Sequence, residues 1–162
     1  MKSIISIGTM AALFLSLTLA VSAKIDLSGT WKLDQAKSEG LPPGMNQTMT
    51  VTQTDDKISL ETKMVSEKGE QTVSDSYLLN GKETEFSQKT PNGTGKGKRT
   101  ANWTADGIEV KESIVFATEN GDATVQLSRK WMLSADGKTL AIEITSQNPN
   151  GTHKTKRFFT KK

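Results

Sequence analysis

The 162-residue chain contains no cysteine, one histidine and four prolines. Without cysteine there can be no disulfide framework, iron–sulfur cluster, thiol catalysis or lipid anchor on a cysteine after a leader. There is no nucleophile elbow, phosphate loop or spaced set of nitrogen and sulfur ligands, so neither a His-based triad nor a zinc site is expected. Apolar residues are also scarce. They make up 34% of the chain but only about 29% past residue 23, less than a layered helical or α/β core requires. Charge is nearly balanced, with 21 basic and 18 acidic residues and a net +3. No continuous basic patch forms, and no nucleic-acid partner is expected.

The one long apolar run is N-terminal. Met1-Lys2-Ser3 gives a basic start, residues 4–21 are mostly apolar, and Val21-Ser22-Ala23 supplies small residues at a cleavage site. The expectation is a signal peptide over residues 1–23, cleaved after Ala23, and a single mature domain over 24–162. That product would be secreted or periplasmic, monomeric and without a stable membrane anchor.

What the chain has in quantity is turn signals. Asp55-Asp56, Lys68-Gly69, Asn80-Gly81, Asn92-Gly93, Asp106-Gly107, Asn120-Gly121, Asp136-Gly137 and Asn150-Gly151 recur 12 to 16 residues apart. Asn-Gly and Asp-Gly favour two-residue hairpin loops whose central residues both need positive φ. Segments rich in Thr, Val, Ile and aromatics lie between them. Eight turns separate nine strands, and residues 27–34 add another in front. The expected fold is all-β, an antiparallel meander of about ten strands without substantial helix. Residues 35–44 form a loop, with at most one helical turn over 35–38.

If each dipeptide is the hairpin loop, Trp103 pairs with Val110, Ala101 with Glu112, and Phe116 with Val125. Trp131 then pairs with Ile142, Ile142 with Phe159, Val51 with Leu60, Leu60 with Tyr77, and Asp75 with Phe86. This register keeps apolar residues on one face. Thr50, Lys57, Glu61, Lys63, Glu85, Lys111 and Lys130 fall on the other. A single sheet greasy on one side, with no helices to cover it, closes into a barrel or curls into an open sheet or sandwich. Closure would bring Trp31 near Arg157 and Phe159.

Gly29-Thr30-Trp31, opening the first strand, resembles the G-x-W signature of lipocalin-like (calycin-type) barrels. Arg157 is placed to supply the basic residue that packs over that tryptophan. The resemblance implies a lipocalin-like domain of an exported bacterial protein, closer in strand number to fatty-acid-binding and nitrobindin-like barrels. The Arg-x-Tyr carboxylate clamp of the fatty-acid binders stands here as Arg157-Phe158-Phe159, without the hydroxyl. The nitrobindin likeness draws notice to His153, which also reads as a solvated turn residue, and no cofactor or metal is expected.

The inward face carries charge. The expected register sets Glu112 opposite Arg129, with Arg99 diagonal to Glu112 and Arg157 two strands beyond Arg129. Trp103, Trp131 and Tyr77 share that face. Enclosed charges are costly unless paired, and three arginines near one glutamate leave a positive surplus. Arg99, Glu112, Arg129, Arg157, Trp103, Trp131 and Tyr77 are therefore the candidate ligand-binding residues. The function expected is non-enzymatic binding of a small apolar or amphiphilic ligand inside the barrel, an anionic group on it being one option. The other reading is a filled barrel, its Glu112–Arg129 pair structural, that acts as an extracytoplasmic interaction or inhibitor module.

Overall fold

The computed structural model describes residues 25–67, 69–90, 93–119 and 121–162. The leader and its cleavage point lie outside the described residues. The strands are β1 (Gly29–Asp34), β2 (Asn46–Gln53), β3 (Lys57–Ser66), β4 (Gly69–Leu78), β5 (Thr84–Thr90), β6 (Gly93–Trp103), β7 (Gly107–Thr118), β8 (Gly121–Leu133), β9 (Thr139–Asn148) and β10 (Gly151–Lys161). No helix occurs among the described residues. The strands form one antiparallel sheet in the order β4-β3-β2-β1-β10-β9-β8-β7-β6-β5. β1 bonds to β10, with Trp31 opposite Lys161 and Leu33 opposite Phe159. The expected ten-stranded antiparallel barrel is what the chain forms, closed except for one seam between β4 and β5.

The seam is a departure from the expected meander, because Asp75 does not pair with Phe86. The connection after β4 spends its hydrogen bonds elsewhere: Leu79 N donates to Asp56 O at 2.7 Å, and Gly81 N to Ala101 O at 3.1 Å. The Asn80-Gly81 segment is thereby tied to the β2–β3 turn and to β6, and no hairpin draws β5 onto β4.

Turn chemistry corrects the register as well. All positive φ angles among the described residues belong to glycine, so Asp106 and Asn150 do not take the mirror-image hairpin conformation. The reversal sits one residue earlier, and the glycine begins the next strand, as in Gly151↔Asn148 and Gly121↔Thr118. Pro149 suits the first central position of a type I turn, and Gly151, with φ 126°, absorbs the positive φ that follows. Pairs across these turns move by two residues: Ala101 faces Val110, Trp103 faces Ile108, Phe116 faces Ala123, Leu60 faces Asp75, and Ile142 faces Arg157. The expected Val51↔Leu60 and Trp131↔Ile142 pairs are present. A two-residue shift restores side-chain parity, so the greasy face survives every correction.

That face packs into a core of Leu27, Trp31, Leu33, Met49, Val51, Ile58, Leu60, Tyr77, Ile108, Val110, Trp131, Leu140, Ile142 and Phe159, among others. The segment before β1 straps one end of the barrel. Leu27 N donates to Gln53 Oε1 at 2.9 Å, Gln53 Nε2 to Ile25 O at 2.8 Å, and the fully buried Trp31 gives its Nε1 proton to Leu27 O at 2.9 Å. The cation over Trp31 is Lys161, 5.3 Å from the ring centre, and not Arg157. Lys161 is the direct cross-strand partner of Trp31, while Arg157 lies four residues farther along β10. Residues 35–45 form a loop without a helix, with turns over 35–37. Ser38 pins it by donating to Asp34 O at 2.6 Å and accepting from Phe158 N at 2.9 Å.

Candidate functional site

Inside the barrel, β6 and β7 set Arg99 directly opposite Glu112. Arg129 lies opposite Val110 on β8, one step diagonal to Glu112. This exchanges the two arginines relative to the expected register, yet both reach the carboxylate. Arg99 Nη2 stands 3.0 Å from Glu112 Oε1, and Arg129 Nη1 bonds to Glu112 Oε2. Arg99 also crosses the seam, where its Nη1 donates to Asp75 Oδ1 and, at 3.0 Å, to Ser76 O on β4. Its guanidinium lies 3.7 Å from the centre of the Phe86 ring and 5.0 Å from that of Tyr77. Gly97 makes room for this stack, since a Cβ there would come within 2.6 Å of the Phe86 ring. Stacking and ion pairing together hold Arg99 as a plug where the ladder is broken.

Among the described residues, Arg157 has no carboxylate partner; its Nη1 bonds there only to Gln47 Oε1, at 3.3 Å, and Arg157 Nε and Trp131 Nε1 are buried with no hydrogen-bond partner among them. Burial, followed by repulsion from Arg129, lowers the pKa of Arg157 from its ordinary value. Burial also works against the charge on Arg129. Tyr77 and Glu112 outweigh it, and the Arg129 pKa stands raised. Tyr77 is pushed well above the usual phenol range by burial; its ring meets Trp131 edge-on, with centres 6.3 Å apart.

These groups surround a cavity of about 130 Å³ lined by Arg129, Arg157, Gln47, Tyr77 and Trp131, with Met49, Leu60, Thr62, Ile142, Ile144 and Phe159 completing the wall. The sequence-derived candidates Arg129, Arg157, Trp131 and Tyr77 meet there. Arg99 and Glu112 stand behind the wall as an ion pair. Trp103 does not line the cavity: half-buried, it packs on the core beside the Asp106 turn. His153 is exposed on β10 opposite Ser146, and no cluster that could hold a metal ion occurs among the described residues. Gln47 was missed as a candidate, although a polar residue alternating with Met45 and Met49 on a greasy face was the available signal. Two residues farther along the same faces, Met45 and Met64 line a cleft of about 560 Å³ together with Pro42, Pro43, Glu67 and Glu70.

The chain is thus defined as a nearly closed ten-stranded barrel with a basic internal cavity. No protein-family model matches it, and no curated protein does. Among solved structures it is similar to the zebrafish ileal bile acid-binding protein complexed with cholic acid, at 18% identity and TM-score 0.49, covering 83% of this chain and 98% of that one. It is also similar to the fatty-acid-binding protein of Manduca sexta, at 20% identity and TM-score 0.43 over 83% and 98%. A third is secretory abundant heat soluble protein 4 of Ramazzottius varieornatus, at 14% identity and TM-score 0.49 over 83% and 94%. Likeness at this level transfers no ligand.

Proposed function

We propose that this chain is an exported, monomeric, non-enzymatic binding protein that holds a small amphiphilic anion inside the barrel. The observation that carries this reading is the donor surplus of the cavity. Among the described residues, Arg157 faces it without a carboxylate, and Trp131 Nε1 and Arg157 Nε have no acceptor. Unpaired buried donors cost about 1–3 kcal/mol each, a cost that an anionic oxygen placed between Arg129 and Arg157 removes. The apolar wall of Met49, Leu60, Ile142 and Phe159 accepts the rest of the ligand. A volume of about 130 Å³ suits a head group and a few carbons, and a longer tail would run past Thr62 toward Met64 and its cleft.

The test is titration of the mature domain with octanoate, followed by tryptophan fluorescence and calorimetry, for the wild type and Arg157→Gln. Saturable binding that weakens at least about tenfold (~1.4 kcal/mol) in a folded variant is expected. Absence of binding by the wild type sinks the reading. Mass spectrometry of the exported protein, expected to begin at Lys24, tests the leader.

A second reading, a filled barrel that acts through its outer surface, is favoured by one feature. Glu112 and Asp75 already neutralise two of the three guanidinium groups. Under it, denaturing extraction releases no small molecule and octanoate leaves the fluorescence unchanged.

A further inference from the structure

We propose that Glu112 sets the charge of the ligand, making the cavity complementary to one negative charge and hostile to two. The inference rests on the anion-site reading above and adds a rule for which anions are accepted.

Glu112 is among the most enclosed charged groups of the described residues, its side chain 2% exposed. It sits on β7 between inward-facing Val110 and Ile114, where parity asks for an apolar residue. Neutralising Arg99 does not account for it, because Asp75 already pairs with Arg99 across the seam. The second Glu112 oxygen goes to Arg129, a residue of the cavity wall. The signs therefore alternate along Asp75, Arg99, Glu112 and Arg129, and end on Arg157. Three guanidinium groups against two carboxylates leave one positive charge in this network.

A monoanion between Arg129 and Arg157 continues the alternation and brings the network to neutrality. A dianion overshoots, and its second charge meets Glu112 across the shared Arg129. Like charges in an enclosed site repel strongly because water is not there to screen them, and selectivity arises from penalising the wrong ligand as much as from attracting the right one. Asp75, with 36% of its side chain exposed, is better screened and stands beyond Arg99, so its share in this discrimination is smaller.

The experiment compares octyl sulfate, a monoanion, with octyl phosphate, which is a dianion at pH 8.5. Chain length and tetrahedral head shape are matched. Affinities are measured calorimetrically for the wild type, Glu112→Gln and Asp75→Asn, with near-ultraviolet circular dichroism as the check on folding. The wild type is expected to favour sulfate by about tenfold or more. Glu112→Gln should bring the ratio close to one or invert it, and Asp75→Asn should move it less. Where Glu112→Gln alone does not fold, the double variant with Arg99→Gln removes both members of the buried pair. It keeps the surplus of one positive charge but takes away the carboxylate that a second ligand charge would meet across Arg129. Its ratio should therefore fall below the wild-type value, though less far than in Glu112→Gln, and an unchanged ratio there overturns the proposal as well. Equal wild-type affinities, or a folded Glu112 variant with the wild-type ratio, would overturn the proposal while leaving the anion site standing. Failure of the wild type to bind either amphiphile would instead remove the site itself.

Discussion

Trp31 and Trp131 are both buried in one core, yet their indole protons have opposite fates. Trp31 Nε1 is bonded to Leu27 O, and Trp131 Nε1 has no partner among the described residues. Replacing each by phenylalanine removes similar volume, but only Trp31→Phe leaves a buried carbonyl unpaired. Urea denaturation should show Trp31→Phe less stable than Trp131→Phe by about 1–3 kcal/mol. If Trp131 Nε1 donates to a ligand, Trp131→Phe should weaken octanoate binding several-fold while costing the fold less. Equal stability losses would show that the hydrogen bond to Leu27 contributes nothing net.

At the scale of the strand, two glycines at the start of neighbouring elements separate crowding from backbone strain. A Cβ on Gly107 would stand 1.9 Å from the Trp131 carbonyl oxygen, so β7 and β8 must part to admit it. A Cβ on Gly121 would meet no atom of the described residues beyond its chain neighbours within 4 Å, but its φ of 104° suits glycine. Gly107→Ala should destabilise by about 3 kcal/mol or more and Gly121→Ala by about 1–2 kcal/mol, measured by chemical denaturation. The reverse order would mean that the β7–β8 ladder yields easily at its end. Strand existence and facing were readable because alternation and turn spacing are local. Pairing partners were not, because a type I turn followed by glycine and a mirror-image turn share the same Asn-Gly dipeptide and differ by one residue in where the chain reverses.

For the whole molecule, the seam is the weakest boundary. Backbone groups along the outer edges of β4 and β5 have no neighbouring strand, and the Arg99–Asp75 pair is a side-chain bridge across the gap. Hydrogen exchange should therefore be fastest on those edges and slowest in β7 and β8, and Asp75→Asn should speed exchange in β4 with little change in β7. Uniform protection across all ten strands would contradict a seam.

Three exposed carboxylates couple stability to acid. Asp26, held by the Ser28 amide, Asp136, held by Ser134, and Glu143, held by Lys156, all have pKa values lowered from 3.8, 3.8 and 4.5. A lowered folded-state pKa contributes stability that is complete above those ordinary values and is lost as pH falls through the lowered ones. The melting temperature should thus stay flat on this account from neutral pH to about pH 5 and fall below pH 4.

By itself the sequence determined the all-β class, the number of strands, which residues share the inward face and that arginines and a glutamate lie among them. These follow from periodicity and turn chemistry, which act over a few residues. Only the tertiary structure decided that β4 and β5 part, that Arg99 rather than Arg129 stands opposite Glu112, that Lys161 covers Trp31 and that Gln47 meets Arg157. Each depends on how strands distant in the chain line up, and that alignment is settled by closing the barrel as a whole.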